Sequence, residues 1–117
     1  MSRIEILLVL GSNGLIRRLT SVGHASLVNG FRPACVLVSA ALRSFGRLLG
    51  EKSGVPVQVK IDGPGHFELK LNSVPQELGP WYGGVCDLLK KNLEDAQTDF
   101  PGQIHLELRN IEIEQEI

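Results

Sequence analysis

The sequence predicts an α+β fold, a two-layer sandwich of ββαββαβ order in which two helices cover one face of a mostly antiparallel five-stranded sheet. Five short segments alternate apolar and polar residues with a period of two, as strands with one solvated face do. Two longer segments repeat apolar residues at three- and four-residue intervals, the spacing of amphipathic helices. A chain of 117 residues matches one domain in length, so we expect a single domain over 1–117.

The first two strands are predicted to form a hairpin. Residues 4–10 place an isoleucine or a leucine at every second position, which indicates a strand buried on one face. The following turn contains Asn13-Gly14, a pair that tolerates the positive φ angles of a tight hairpin. Residues 15–22 are therefore expected to pair antiparallel with the first strand.

The first helix is predicted to begin at Pro33 and to end at Gly50. Proline suits the first helical position, where its missing N–H would be unpaired in any case, and glycine suits the C-cap. The helical spacing predicts a buried face made of Val38, Ala41, Leu42, Phe45, Leu48 and Leu49.

Two further strands are predicted over residues 55–61 and 66–71, separated by a turn. Pro56 indicates an edge strand or the beginning of a strand, because proline has no N–H to donate to a neighbour. His66 falls on the polar face of the second of these strands, so we expect it at the surface. The opposite face, predicted to point to the core, carries Phe67, Leu69 and Leu71.

The second helix and the last strand complete the predicted fold. From about residue 78 the helical spacing predicts a buried stripe, and Cys86, which lies just beside it, is interpreted as structural. Residues 99–102 end this helix, and residues 104–108 form a strand with His105 on its solvated face. The residues after it are interpreted as an extension of an edge strand or a frayed tail. The predicted stripe comprises Trp81, Val85, Leu88, Leu89, Leu93 and Ala96.

The start of the first helix is the predicted functional site. Cys35 falls in the first helical turn, where unpaired N–H groups and the helix dipole favour thiolate over thiol. His24 follows Gly23 at the end of the preceding strand and is the expected base, while Ser39 shares the face of Cys35 one turn later and is expected to line a substrate cleft. The structural alternatives are a core cysteine, a capping or solvated histidine and a serine bonded to its own helix.

The segment between these residues, 25–32, has two interpretations. It is a candidate lid that closes over a bound peptide, because it is a loop beside the predicted site and contains Asn29-Gly30. It is equally compatible with an ordinary connection.

Three motifs give the chain a family resemblance. Gly23-His24-Ala25, a helix start with cysteine and serine four residues apart, and Gly65-His66-Phe67 occur in an order that resembles the bacterial ribosomal-processing cysteine protease family, Prp. The similarity of element order covers nearly the whole chain. The resemblance implies a protease of ribosome biogenesis that removes an N-terminal extension from ribosomal protein twenty-seven of the large subunit, with Cys35 as nucleophile and His24 as general base. It also implies a homodimer.

One position departs from the family pattern. The family carries an acidic residue three places before the cysteine and an aliphatic residue next to it, where this chain has Arg32 and Pro33. The alternative hypothesis is therefore a catalytically weakened or inactive peptide-binding module that acts in ribosome assembly. A third, a thiol sensor, requires only that Cys35 be exposed.

Composition excludes several other classes. The net charge of −1 gives no basis for direct binding of nucleic acid, and no apolar run approaches the roughly 20 residues that span a bilayer. Two cysteines are too few for a disulfide scaffold, and three scattered histidines form no zinc motif, so no cofactor or metal is expected. We therefore expect a cytoplasmic protein with free thiols, Cys35 and Cys86.

Overall fold

The computed structural model describes residues 3–11, 13–25, 30, 32–52, 54–62 and 65–111. Within these ranges the element order is the predicted ββαββαβ, with one short 3-10 turn at Gln76–Leu78 before the second helix. The elements are β1 (Ile4–Leu10), β2 (Ile16–Val22), α1 (Pro33–Glu51), β3 (Val57–Ile61), β4 (His66–Leu71), α2 (Gly79–Asp99) and β5 (Ile104–Asn110).

The sheet has five strands in the order β3-β4-β2-β1-β5. All neighbouring pairs are antiparallel except β1 and β5, which run parallel in a register that pairs Ile4 with Ile104. The connection between parallel strands requires a long crossover, which the rest of the chain supplies. The predicted mostly antiparallel two-layer α+β sandwich is therefore confirmed, and β3 lies at an edge, as Pro56 indicated.

The core lies between the sheet and the two helices. The predicted inward face of β1 is confirmed, because its four alternating apolar residues are all buried. From β4, Leu69 and Leu71 are buried and Phe67 is half-buried against the same cluster. The buried residues of the helices are Ala34, Val38, Leu42, Phe45, Gly46 and Leu49 in α1, and Tyr82, Cys86, Leu89, Leu93 and Ala96 in α2.

Two leucines predicted in the helical core are exposed instead. Leu48 is 41% exposed and Leu88 is 64% exposed. Each lies two residues after a buried small residue, Gly46 or Cys86, and two residues advance an α-helix by about 200°. A Cβ on Gly46 would already lie 3.6 Å from side-chain carbon atoms of Leu69 and Val59, so this side of α1 faces the sheet and Leu48 points away from it.

The end of α1 also differs from the prediction. Gly50 remains helical, and the C-cap is Lys52, whose backbone N–H donates to the carbonyl of Leu49 at 3.2 Å. The positive φ expected of a turn glycine occurs later, at Gly54 (85°). The chain therefore completes the last helical turn before it reverses.

Tyr82 joins α2 to the sheet through a buried hydrogen bond. Its side chain is fully buried, and its hydroxyl donates to the carbonyl of Ile16 at 2.6 Å. Burial raises the pKa of Tyr82, because the phenolate would be separated from water. The hydroxyl therefore stays protonated and satisfies a carbonyl that has no access to solvent.

We expect Tyr82→Phe to lower the free energy of unfolding by about 1–3 kcal/mol, because the buried carbonyl of Ile16 loses its donor. Urea denaturation followed by circular dichroism measures the change. Thr98→Ala is the matched control, since it removes an exposed hydroxyl-to-carbonyl bond from the same helix and is expected to cost less than about 0.5 kcal/mol. Equal stabilities of the two variants would contradict the assignment.

None of the helices in the described ranges is long and apolar enough to cross a bilayer. The residues after 111, interpreted from the sequence as an edge extension or a frayed tail, lie outside the described part of the chain.

Candidate active site

A cleft of about 340 Å³ opens beside the beginning of α1 and the adjoining ends of β2 and β4. His24, Cys35 and Ser39, the three residues predicted for the site, all line it. Arg43 adds a charged group to the wall, and the remaining lining is mainly apolar. The apolar side chains are those of Ile4, Val38, Leu42, Ile61 and Phe67.

Cys35 is the third residue of α1 and is half-buried at the cleft wall. Its Sγ accepts a hydrogen bond from the backbone N–H of Ala25 at 3.1 Å. This bond fixes the sulfur atom beside the segment that carries His24. Cys35 is therefore not the fully buried cysteine that the structural alternative required. Cys86 is fully buried, at 1% exposed, and burial raises the pKa of its thiol. Both thiols are free.

His24 is exposed, and its imidazole lies directly over Gly65. A Cβ on Gly65 would lie 2.5 Å from Nε2 of the ring, so the glycine leaves the space that the imidazole occupies. The backbone N–H of Gly23 donates to the carbonyl of Gly65 at 2.9 Å, which ties the turn before β4 to the segment that carries His24. Among the described residues, no hydrogen bond joins His24 to Cys35.

Gly23 sets the direction of the chain as it leaves β2. Its φ is +104°, and a Cβ there would collide with the backbone carbonyl oxygen of Arg3. Only glycine meets both conditions without strain. The prediction that Gly23 turns the chain toward the site is therefore consistent with the observed geometry.

Arg32, the residue that departs from the family pattern, makes a hydrogen bond to the backbone of Ala25, the residue after His24. Its Nε donates to the carbonyl of Ala25 at 3.1 Å. Ala25 is thus held on both sides, with its N–H on the sulfur of Cys35 and its carbonyl on the guanidinium. These two bonds fix the histidine-bearing segment against the start of α1.

Ser39 and His66 complete the comparison with the predicted residues. Ser39 is exposed one turn after Cys35, and its carbonyl accepts a bond from Nε of Arg43 at 3.4 Å. His66 contributes to the cleft although it was expected only at the surface, and it is half-buried. It pairs across the sheet with Val22, and no hydrogen bond joins it to Cys35 within the described ranges.

Two contributions to the site have no sequence signal of their own. The amide of Ala25 is a backbone group that every non-proline residue carries, and only the fold aims it at Cys35. Gly65 falls in the predicted turn between the third and fourth strands. The space that it leaves for the His24 ring depends on a contact between residues 41 positions apart in the chain (65 − 24).

Most of the candidate lid lies outside the described residues, since 26–29 and 31 are among those not described. Within the part of the chain that is described, no group of three or more His, Cys, Asp or Glu side chains is placed to hold a metal ion.

Comparison with known proteins identifies the fold. No family model and no curated protein matches the sequence. Among solved structures, the ribosomal-processing protease Prp of S. aureus with a covalently linked product peptide has a TM-score of 0.76 at 16% identity, covering 91% of this chain and 99% of that one. The same protease with a substrate peptide has a TM-score of 0.74 at 15% identity, with the same coverage.

A protein from Streptococcus mutans is similar to the same degree. Its TM-score is 0.78 at 15% identity, and the match covers 94% of this chain and 97% of that one. The likeness therefore extends over nearly the whole of both chains, in agreement with the α+β architecture that the sequence periodicities predicted. The chain has the fold of the ribosomal-processing protease Prp.

Proposed function

We propose that the protein is a cysteine endopeptidase that removes the N-terminal extension of ribosomal protein twenty-seven of the bacterial large subunit. The observation that carries the proposal is the 3.1 Å hydrogen bond from the Ala25 amide to Sγ of Cys35, because it holds the residue after His24 against the thiol. His24 and Cys35 line one cleft of about 340 Å³. The fold is that of a protease whose structures hold peptides.

In the proposed reaction, the Cys35 thiolate attacks the scissile carbonyl and forms a tetrahedral intermediate. His24 accepts the thiol proton and returns it to the leaving amine, which departs with the C-terminal part of the substrate. Water, deprotonated by His24, then hydrolyses the thioester and regenerates the thiol.

The first turn of α1 is the proposed oxyanion site. The initial N–H groups of a helix have no intrahelical acceptor, and α1 has no side-chain cap. Pro33 has no N–H, and the amide of Val36 already donates to the carbonyl of Arg32 at 3.1 Å. The amides of Ala34 and Cys35 remain in this turn, and that of Cys35, which belongs to the nucleophile itself, is the donor proposed to bind the developing oxyanion.

The second candidate function is a peptide-binding module of ribosome assembly without efficient catalysis. Two observations favour it: His24 makes no hydrogen bond to Cys35 among the described residues, and Arg32 stands where the family has an acid. This module would bind the same peptide but leave it uncut.

Cleavage of the host organism's own ribosomal protein twenty-seven separates the two functions. We expect the wild-type protein to shorten it from the N-terminus, and Cys35→Ala to bind it without cleavage; intact-mass spectrometry and fluorescence anisotropy measure the two steps. Cys86→Ala is the control, because this thiol is buried away from the cleft and its loss is expected to leave cleavage intact. Binding without cleavage by the wild type would support the module, and neither binding nor cleavage would exclude both functions.

The homodimer and the cytoplasmic location remain predictions from the resemblance and the composition. Sedimentation equilibrium tests the first directly, with twice the mass of one chain as the expected result.

A further inference from the structure

The cleft carries a positive charge that the proposed reaction does not use. Arg43 is the one permanently charged side chain among the described residues that line it, and none of those residues is an aspartate or a glutamate. Within the described ranges, no carboxylate lies within ion-pair distance of Arg43. Asp62, the residue after Ile61, is exposed and lies outside the lining.

The guanidinium of Arg43 folds back along α1. Its Nε donates to the carbonyl of Ser39 at 3.4 Å, one turn nearer to Cys35. This bond uses one of the five N–H donors of arginine and leaves the terminal nitrogen atoms available for a ligand. The two terminal nitrogens are suited to bidentate binding of a carboxylate.

The helical rise sets the distance between this charge and the nucleophile. At about 1.5 Å per residue, Ser39 lies about 6 Å and Arg43 about 12 Å along the axis from Cys35. An extended peptide advances about 3.3 Å per residue. A peptide extended along α1 from Cys35 would therefore place a residue two to four positions from the scissile bond at the level of the guanidinium.

We propose that Arg43 is a specificity-determining residue that selects peptides with an aspartate or glutamate two to four residues from the cleaved bond. The inference rests on the proposed function, since it assumes that a peptide lies along α1 with its scissile carbonyl at Cys35. The neighbouring side chains of Val38, Leu42 and Phe67 are apolar, so they offer a bound carboxylate no competing polar partner.

A peptide scan tests this inference. The parent peptide spans the N-terminal extension of the host's ribosomal protein, and each position in turn carries Glu, Gln or Lys. Dissociation constants are measured with the Cys35→Ala variant, and kcat/KM is measured with the wild type. We expect Glu to bind about three- to fivefold more tightly than Gln within the stated positions, with Lys weakest and with the difference smaller in about 0.5 M NaCl than in about 0.02 M NaCl.

Two substitutions isolate the role of the charge. Arg43→Gln, in the Cys35→Ala background, is expected to abolish the preference for Glu over Gln while peptides with Gln bind as before. Arg47→Gln is the matched control, because Arg47 is exposed one turn further along α1 and does not line the cleft. It is expected to retain the preference.

The outcomes distinguish this inference from the proposed function. If the wild type cleaves peptides but prefers Glu at no position, or if Arg43→Gln keeps the preference, the role of Arg43 is wrong and the protease stands. If no peptide is cleaved but Cys35→Ala still prefers Glu through Arg43, the protease is wrong, and Arg43 selects carboxylates in a site that only binds peptides. Absence of binding by every peptide overturns the inference.

Discussion

Replacing His24 by alanine is expected to lower kcat/KM for the ribosomal-protein peptide by about 10²- to 10⁴-fold, the usual contribution of a positioned general base. Cys35 would keep its backbone donor from Ala25, but the base proposed to carry the proton from the thiol to the leaving amine would be missing. The fold should be unaffected, because the imidazole is exposed and makes no hydrogen bond within the described part of the chain. Peptide cleavage followed by liquid chromatography measures the loss.

His105→Ala is the control for this experiment. His105 is also exposed, on β5, and does not line the cleft, so its loss is expected to leave kcat/KM unchanged. Alkylation by iodoacetamide adds a second readout, since Cys35 should still react in His24→Ala if the substitution removed the base and left the thiol accessible. An activity within about twofold of wild type in His24→Ala would exclude the proposed role of the histidine.

The fold was accessible from the sequence because its signals are local. The alternation in β1, the proline at the first position of α1 and the polar breaks between elements each reflect the conformation of a few neighbouring residues. The phase of a helical stripe is less local. In α2 two adjacent rows of apolar residues could each have faced the sheet. Tyr82 is buried and bonds the carbonyl of Ile16, so the row that contains Tyr82 faces the sheet and Leu88 lies in solvent.

The candidate site was only partly accessible in the same way. His24 and Cys35 are informative residue types, and the spacing between them was sufficient to place both at one cleft. What holds them there is the peptide unit of Ala25, bonded to Cys35 at its N–H and to Arg32 at its carbonyl. Backbone groups have the same chemistry at nearly every residue, so no sequence pattern could indicate this one.

The geometry also changes the meaning of Arg32. From the sequence it is the loss of an acidic residue, which favours a weakened enzyme. In the folded chain its guanidinium bonds the segment that carries His24, which is a structural contribution that an acidic side chain does not make to a carbonyl oxygen. Arg32 therefore has a structural role in this fold that the sequence pattern did not indicate.

Replacing Gly65 by alanine is expected to lower kcat/KM by about 100-fold and the free energy of unfolding by about 1–2 kcal/mol. The stability loss follows from the φ of +76°, which L-residues with a side chain rarely adopt. The activity loss has a different cause, because the new methyl group would occupy the place of the His24 ring, 2.5 Å from Nε2, and the ring would have to move. Denaturation and peptide cleavage measure the two losses separately.

Gly14→Ala separates backbone strain from displacement of the histidine. Gly14 has nearly the same φ, +81°, but a Cβ there would meet nothing within 4 Å. Both variants are therefore expected to lose similar stability, while only Gly65→Ala loses cleavage. If the two variants cleave the peptide equally well, the imidazole over Gly65 is not the group that carries the proton. A general base that is displaced from its position lowers the rate of the reaction, and Gly65→Ala would have displaced this one.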